Sequence, residues 1–426
     1  MKYHPYYRGK IEISPKVPIR SFEDFAVWYS PGVADACLSI KSRREAVFEL
    51  TNRWNTVAIV TDGTRVLGLG NIGPEAGLPV MEGKSLLFKY LGGVDAFPLC
   101  LSQTSAEALI ETIQRIEPSF GGINLEDIEQ PKCFRILNSL RKSMNIPVWH
   151  DDQQGTATVV LAGVLNALKL VGKRIQEMQV CMVGAGAANI AIERLIVAAG
   201  ARPGNITMVD SRGILNSSRK DLEKKFPEKW KVCITTNSEG KTGGLDSALR
   251  GTDTCIAMSK PGPGVISKKM IKSMNDSPIV FACANPVPEI WPWDAKKAGA
   301  KIVATGRSDF PNQINNSLGF PGIFRGTLDV RASTITDEMC IVASQELANL
   351  AEEKGLSEDS IVPSMDDWEV FPREATAVGL KAQEQSVARR KIGRRELLET
   401  ATKIIMRARK LGTKLMKTGL ISPIPE

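Results

Sequence analysis

Two pairs of adjacent acidic residues each follow a short apolar run. Glu126 and Asp127 come after one run, and Asp151 and Asp152 come after a later one. Such runs are typical of buried strands, so the four carboxylates are expected at strand ends, where they repel one another unless a cation lies between them. Because hard divalent ions such as Mg²⁺ and Mn²⁺ prefer oxygen ligands, the pattern predicts a site for one of these ions. The alternatives are solvated loop acids and a helix cap at Asp152.

The histidines and cysteines narrow the possible chemistry. There are two histidines, His4 and His150, and eight cysteines that stand singly. Two histidines exclude a multi-histidine metal centre, so general acid–base chemistry must rest mainly on Lys, Tyr, Asp or Glu. No cysteine belongs to a Cys-x-x-Cys pair, which favours reduced thiols over a disulfide framework or a zinc site.

A glycine-rich turn joins a predicted strand to a predicted helix. It runs Val-Gly-Ala-Gly-Ala-Ala-Asn over residues 183–189. The first glycine would permit the tight turn, and the second would let a pyrophosphate approach the helix N-terminus. An asparagine replaces the third glycine of the usual fingerprint, so the prediction depends on the strand–helix context. We predict that five residues of the turn bind NAD or NADP: Gly184, Gly186, Ala187, Ala188 and Asn189.

A second predicted strand ends at Asp210, where a carboxylate would bond to a ribose hydroxyl. An acid at this place favours NAD, because it would repel the 2′-phosphate of NADP. Arg212 follows two residues later and could pair with that phosphate. We predict that both residues contact the cofactor, and the choice between NAD and NADP stays open.

Two successive alternations of strands and helices must position these residues. Strand-like runs occupy 56–60, 94–99, 121–125 and 146–149, with helical patterns at 105–116 and 132–144. After an apolar helix at 155–171 and a polar break at 173–176, strand-like runs recur at 180–183, 206–210, 254–258, 279–283 and 301–305. This alternation predicts an α/β protein with mostly parallel sheets.

We therefore predict two α/β domains and a helical C-terminal segment that packs back on them. Residues 1–155 would form the substrate and metal domain, and residues 156–335 a Rossmann-type NAD(P)-binding domain. Residues 336–426 are mostly helical in pattern, and the segment has no sheet of its own.

Composition is ordinary for a globular protein of 426 residues, with 43% hydrophobic and 24% charged residues. The longest apolar stretch is short for a membrane span, and the first residues lack the apolar core of a signal peptide. We therefore expect a cytoplasmic protein without a membrane partner. The net charge of +8 is concentrated at 389–417, where eleven Lys or Arg residues occur. We favour a solvated helical face over a nucleic-acid surface, because no aromatic residues are interleaved with these cations.

Several motifs together resemble the malic enzyme family. Besides the acidic pairs and the glycine turn, the resemblance rests on these stretches: Tyr29-Ser-Pro-Gly-Val-Ala, Thr61-Asp-Gly-Thr-Arg65-Val-Leu-Gly-Leu-Gly-Asn-Ile-Gly, Pro79-Val-Met-Glu-Gly-Lys84, Ala284-Asn285-Pro, and Asn315-Asn316 before Phe320-Pro-Gly. The motifs follow one another in one order from about Tyr29 to the segment that begins at Trp368, which is most of the chain. Ser30 and His150 depart modestly from the commoner pattern.

The resemblance implies the oxidative decarboxylation of L-malate to pyruvate and CO₂, with NAD or NADP and Mg²⁺ or Mn²⁺ as cofactors. Lys84 matches the general base that removes the C2 hydroxyl proton, and Tyr29 matches the acid that protonates C3 of the enolpyruvate. A lysine can act as a base near neutral pH only if burial or a nearby cation lowers its pKa. Asp151 matches a carboxylate held close to the lysine.

The resemblance also divides the remaining candidates by task. Glu126, Asp127 and Asp152 match the metal ligands. Arg65 would bind a substrate carboxylate, and Asn285 and Asn316 match neutral groups that touch substrate and nicotinamide. Members of the family are generally dimers or tetramers, so we expect a homodimer or a higher homo-oligomer. Whether one subunit supplies Tyr29 and Lys84 to the dinucleotide domain of another stays open.

Three rival functions remain at this point. A malolactic-type enzyme would share these motifs and release lactate. Another two-domain dehydrogenase, acting on an amino acid or a folate, would not need the acidic triad. A non-catalytic nucleotide-sensing or nucleic-acid-binding protein would use the basic C-terminal stretch, and its binding would weaken with salt.

Overall fold

The computed structural model describes residues 3–425. Within them the helices are α1 (Tyr3–Tyr7), α2 (Asp24–Trp28), α3 (Val33–Ser42), α4 (Val47–Leu50), α5 (Pro74–Gly92), α6 (Ala106–Ile116), α7 (Lys132–Ser143), α8 (Thr156–Val171), α9 (Ala187–Ala198), α10 (Pro227–Thr235), α11 (Leu245–Leu249), α12 (Lys268–Lys272), α13 (Pro292–Lys297), α14 (Phe320–Asp329), α15 (Asp337–Lys354), α16 (Val370–Glu384) and α17 (Arg394–Lys417). The strands are β1 (Thr56–Thr61), β2 (Asp95–Cys100), β3 (Gly122–Leu125), β4 (Val148–His150), β5 (Val180–Val183), β6 (Ile206–Asp210), β7 (Gly213–Ile214), β8 (Thr254–Ala257), β9 (Ile279–Ala282) and β10 (Ile302–Thr305).

The first sheet is parallel, with the strand order β2-β1-β3-β4. The strands β1 and β3 are buried along their whole length, which explains their nearly continuous apolar sequences. The register sets Leu125 opposite His150, the last residues of β3 and β4. Both acidic pairs therefore leave the sheet at its carboxyl edge, next to each other.

The second sheet has the order β10-β9-β8-β5-β6-β7 and is parallel except for the short edge strand β7. Strand β5, which leads into the glycine turn, lies between β6 and β8, so the strand order reverses direction there. Ligands of doubly wound sheets bind at this switch point. The predicted α/β class, with a Rossmann-type sheet and a helical C-terminal part, is confirmed.

Helix α8 runs through the middle of the protein, with eleven of its residues buried. A π-helical turn, Asp151–Gly155, precedes it. The combined segment is apolar and long enough to cross a membrane by length and composition, but 72% of its most apolar window is buried inside the protein. It is thus placed as a core helix.

The C-terminal helices pack back on the rest of the chain. Helix α14 lies against both α5 and α16. Its backbone comes so close to α16 that a Cβ on Gly326 would lie 2.1 Å from the Ala375 carbonyl oxygen. The ring of Phe324 packs edge-on against Phe88 of α5 and against Trp149 of β4. Helix α14 lies within residues 156–335, the predicted NAD(P)-binding domain. It nevertheless packs on α5 and β4, which belong to the predicted substrate and metal domain.

Candidate active site

The carboxyl edge of the first sheet brings the predicted metal ligands together. Glu126, Asp127 and Asp152 each offer a carboxylate oxygen, and these oxygens all lie within 4.8 Å of one another. Asp152 Oδ2 accepts a hydrogen bond from the Asp127 backbone N–H at 2.9 Å. Asp152 makes no capping bond to α8. The structure therefore supports clustering over the helix-cap alternative.

The burial of these carboxylates and the repulsion between them fit a site for a cation. Asp127 Oδ2 is buried without a hydrogen-bond partner among the described residues. Burial, followed by the neighbouring Asp152 carboxylate, raises the pKa of Asp127 to about 7. Burial also raises the pKa of Glu126 well above its usual range. A divalent ion with oxygen ligands would relieve both the desolvation and the repulsion between these groups.

Asp151 faces a different set of partners from Asp152. Its carboxylate is fully buried and forms an ion pair with Lys84 of α5. It also accepts hydrogen bonds from Trp149 Nε1 at 3.1 Å and from Asn316 Nδ2 at 3.0 Å. Asp151 is thus held by three side chains that come from α5, from β4 and from the segment before α14.

Lys84 lies between the two acid groups. Its Nζ contacts Asp151 and lies 2.8 Å from Glu126 Oε1, and the ammonium lies 4.5 Å from the centre of the Phe320 ring. Burial lowers the pKa of Lys84, but the charges of Asp151 and Glu126 outweigh it and raise the pKa above the usual value. This direction is opposite to the one that a lysine base requires. The predicted base is therefore protonated unless one of these carboxylates is neutralised.

Two loops meet at the opening of this site. The backbone N–H groups of Arg65 and Leu67 donate to Asp127, at its carbonyl and its Oδ1. A Cβ on Gly68 would lie 2.1 Å from the carbonyl oxygen of Asn285, so only glycine permits this approach. The side chains of Arg65 and Asn285 are exposed beside the contact. The structure thus places the Arg65 backbone against Asp127 and brings the Asn285 loop against the loop that carries Arg65.

Tyr29 is not brought to this cluster by the contacts of the described chain. Its side chain is 73% exposed, and its hydroxyl makes no hydrogen bond within residues 3–425. Helices α1, α2 and α3 surround it in sequence, and together they bury only Asp24. Lys84, in contrast, pairs with Asp151 and Glu126 of the same chain.

The glycine turn has the geometry that was predicted for a dinucleotide site. Gly184 has φ +98°, and a Cβ there would lie 2.6 Å from the Met258 carbonyl oxygen. A Cβ on Gly186 would meet nothing within 4 Å, so the approach to the N-terminus of α9 is open. Asn189 is buried, and its Nδ2 donates to the carbonyl oxygens of Val183 and Gly184. Asn189 therefore stabilises the turn through its side chain. Ala187 and Ala188 are the first two residues of α9.

Asp210 has a partner that the sequence did not reveal. Arg219 donates to both of its carboxylate oxygens, at 3.1 and 3.0 Å, and the Arg212 backbone N–H donates to Oδ1. The guanidinium of Arg212 pairs instead with Asp221. Although burial opposes it, Arg219 lowers the pKa of Asp210 below its ordinary value. Arg219 lies nine positions after Asp210, beyond the short strand β7 and an irregular stretch, so spacing could not have indicated the pair.

A second buried network was also missed. Asp62, directly after β1, pairs with Lys132 and accepts a bond from the Thr64 hydroxyl at 2.6 Å. Thr64 in turn accepts the backbone N–H of Glu129. The network fixes the loop that carries Arg65 against the loop after Asp127. The only sign of this network in the sequence was Asp62, an acid that directly follows β1 as the acidic pairs follow β3 and β4.

Comparison with known proteins agrees with this geometry. The family model described as malic enzyme, N-terminal domain, matches residues 8–141, and the one described as malic enzyme, NAD binding domain, matches residues 153–382. The chain is 48% identical over 401 residues to a bifunctional malic/malolactic enzyme of Bacillus subtilis, covering 94% of this chain and 96% of that protein. It is 46% identical to an NAD-dependent malic enzyme of Geobacillus stearothermophilus, covering 90% and 78% of the two chains.

A solved structure extends the similarity to three dimensions. The crystal structure of Entamoeba histolytica malic enzyme superposes with a TM-score of 0.97 at 48% identity, covering 99% of this chain and 88% of that one. Both family models, and relatives near half identity along almost the whole length, thus agree with the motifs. The chain belongs to the malic enzyme family.

Proposed function

We propose that this protein oxidatively decarboxylates L-malate to pyruvate and CO₂ while it reduces NAD⁺ or NADP⁺. One observation carries the proposal: Lys84 is buried between Asp151 and Glu126, beside the oxygen cluster of Glu126, Asp127 and Asp152. A proton acceptor and a cation site side by side are what the loss of a hydroxyl proton followed by the loss of CO₂ requires.

Glu126, Asp127 and Asp152 are proposed to hold Mg²⁺ or Mn²⁺. When bound, the ion would act as a Lewis acid that withdraws electrons from the substrate as CO₂ leaves. The buried, unpartnered oxygen of Asp127 supports this assignment. The surrounding chain positions the ligands, since Asn124 Nδ2 donates to Glu126 Oε2 at 2.9 Å and Leu67 donates to Asp127.

Lys84 is proposed to take the C2 hydroxyl proton of malate. Two carboxylates raise its pKa, so neutralising the charge of Glu126 removes one of the two groups that keep the ammonium protonated. Asp151 remains in contact with Nζ and keeps the Lys84 side chain in place. Asn316, which donates to Asp151 and accepts from the Thr156 hydroxyl, keeps that carboxylate in place.

Arg65 and Asn285 are proposed to bind substrate at the mouth of the site. The Arg65 guanidinium makes no ion pair with the described residues, and a free guanidinium matches the geometry of a carboxylate. Asn285 belongs to the loop that follows β9 of the second sheet, and this loop contacts Gly68. Substrate and nicotinamide would meet there. Gly184, Gly186 and the start of α9 would hold the pyrophosphate, with Asp210 and Arg212 near the adenosine ribose.

A homodimer is proposed to complete the site. The segment that contains α1 to α3 leaves large apolar side chains exposed, with Phe22 at 92%, Tyr29 at 73% and Leu38 at 61%. Short helices without a buried face are not stable in isolation, and an exposed apolar surface of this kind is typical of an interface. A second copy that covers this segment would bury it, and it would carry Tyr29, the proposed acid for C3, toward a neighbouring site.

The remaining proposals concern location and partners. All eight cysteines are free, and six of them are buried, which supports a reducing, cytoplasmic location. Helix α17 buries Leu397, Ala401 and Ile405, and its Lys and Arg side chains other than Arg409 are exposed. This arrangement supports a solvated amphipathic helix without a nucleic-acid partner.

A product assay tests the proposal. Purified protein is mixed with L-malate and Mn²⁺ and with NAD⁺ or NADP⁺ in parallel, while reduced cofactor is followed by absorbance and pyruvate and lactate are quantified. We expect reduced cofactor and pyruvate in equal amounts, with full loss in EDTA. Lactate without net cofactor reduction would instead establish a malolactic activity, and turnover that survives EDTA would refute the metal site.

A further inference from the structure

Asp151 and Asp152 are adjacent in sequence, yet they face different partners. Both follow β4, whose last residues are Trp149 and His150. Successive side chains of a strand point to opposite faces of the sheet, so these two large side chains extend to opposite sides of the strand end. Each one lies next to a different member of the acidic pair.

Trp149 contacts the carboxylate that Lys84 uses. The indole is fully buried, and its Nε1 donates to Asp151 Oδ1 at 3.1 Å. The other oxygen, Oδ2, faces Lys84 and Asn316. With Oδ1 bonded to the indole, the Asp151 carboxylate cannot rotate toward the metal ligands without breaking a buried hydrogen bond.

His150 lies next to the carboxylate that is assigned to the metal. Its ring is fully buried, and neither ring nitrogen has a hydrogen-bond partner among the described residues. Its Nε2 lies 3.6 Å from Asp152 Oδ2, slightly beyond a hydrogen bond. Buried polar groups seldom stay without a partner, and Asp152 is the acid nearest to this ring in the structure.

We propose that Trp149 and His150 are positioning residues that assign Asp151 to the lysine and Asp152 to the metal. The proposal rests on the proposed function, because it assumes that Glu126, Asp127 and Asp152 bind the ion. An N–H donor behind a ligating carboxylate orients it and keeps it ionised, and such outer groups contribute measurably to metal affinity. The His150 imidazole would do this for Asp152, and the Trp149 indole would hold Asp151 away from the ion.

The test compares Mn²⁺ affinity with turnover in the two sets of variants. Free Mn²⁺ is titrated by electron paramagnetic resonance without substrate, and kcat is measured at saturating Mn²⁺. His150→Leu and His150→Phe should weaken Mn²⁺ binding by about tenfold or more, whereas His150→Gln, which keeps an N–H donor, should recover most of the affinity. Trp149→Phe should lower kcat by about tenfold and leave the Mn²⁺ dissociation constant unchanged.

Phe324→Leu is the matched control for Trp149→Phe, because Phe324 packs against the indole and is not a hydrogen-bond donor to Asp151. We expect the control to lose stability but to keep kcat. Unchanged Mn²⁺ affinity in both apolar His150 variants, or an equal loss of kcat in Trp149→Phe and the control, would overturn the inference alone. Failure of the wild-type protein to bind Mn²⁺ would overturn both the inference and the proposed function.

Discussion

Removing the ammonium of Lys84 should have two separable effects, on stability and on turnover. The Lys84 side chain is 10% exposed and that of Asp151 is fully buried, so their ion pair lies out of water. Removing one partner of such a pair leaves a buried charge without compensation and costs about 3–5 kcal/mol. Lys84→Met, which keeps the length of the side chain, should therefore lower the free energy of unfolding by about this amount. Loss of a general base should at the same time reduce kcat by about 10²–10⁴-fold.

A double variant separates the two effects. Asp151→Asn removes the orphaned charge, so Lys84→Met combined with Asp151→Asn should regain much of the lost stability and remain inactive. Denaturant unfolding gives the stability, steady-state kinetics with malate and Mn²⁺ gives kcat, and quenching of protein fluorescence gives cofactor affinity, which should not change. The reasoning fails if Lys84→Met keeps near wild-type turnover, if it loses cofactor binding, or if the double variant is no more stable than the single one.

Three further changes test other parts of the structure. Gly184→Ala would force a Cβ against Met258 at a left-handed backbone position, which costs about 1–2 kcal/mol. The KM for NAD(P)⁺ should therefore rise about tenfold, and an unchanged KM would contradict the role of the turn. Mixing Tyr29→Phe with Lys84→Met subunits should restore activity that neither variant has alone, and an inactive mixture would contradict a shared site. Burial, with Glu346 nearby, raises the pKa of Glu374 above its usual value, so the folded protein loses stability as pH rises above the unfolded pKa of about 4.3. Glu374→Gln should therefore raise Tm more in alkaline than in acidic buffer, and an equal change at both would refute a buried neutral Glu374.

The strands could be predicted from sequence because both sheets are mostly parallel and buried. Strands such as β1 and β5 are continuous apolar runs, and the structure places them within one or two residues of the predicted bounds. Helix α5 was not predicted, although it carries Lys84. Pro79 and two glycines interrupt its helical pattern, and the helix is held instead by burial of residues such as Met81 and Phe88.

The site was only partly accessible from the sequence. Acids at the ends of two strands indicated a metal site, because parallel strands bring their carboxyl ends to one edge. Their division could not come from spacing, since Asp151 is held by Asn316, 165 residues away, and by Lys84, 67 residues away. The pairing of Asp210 with Arg219 depends likewise on the path of an irregular segment. Contacts of this kind are fixed by tertiary packing, not by local pattern.

The division of the acidic pair is the central claim, and Mn²⁺ binding to two conservative variants tests it most directly. Asp151→Asn and Asp152→Asn each remove one charge from adjacent positions, so that the two variants differ only in which carboxylate is lost. We predict that Asp152→Asn weakens Mn²⁺ binding in an electron paramagnetic resonance titration, whereas Asp151→Asn binds Mn²⁺ as the wild type does and loses turnover. Normal Mn²⁺ binding by Asp152→Asn, together with weakened binding by Asp151→Asn, would contradict the account.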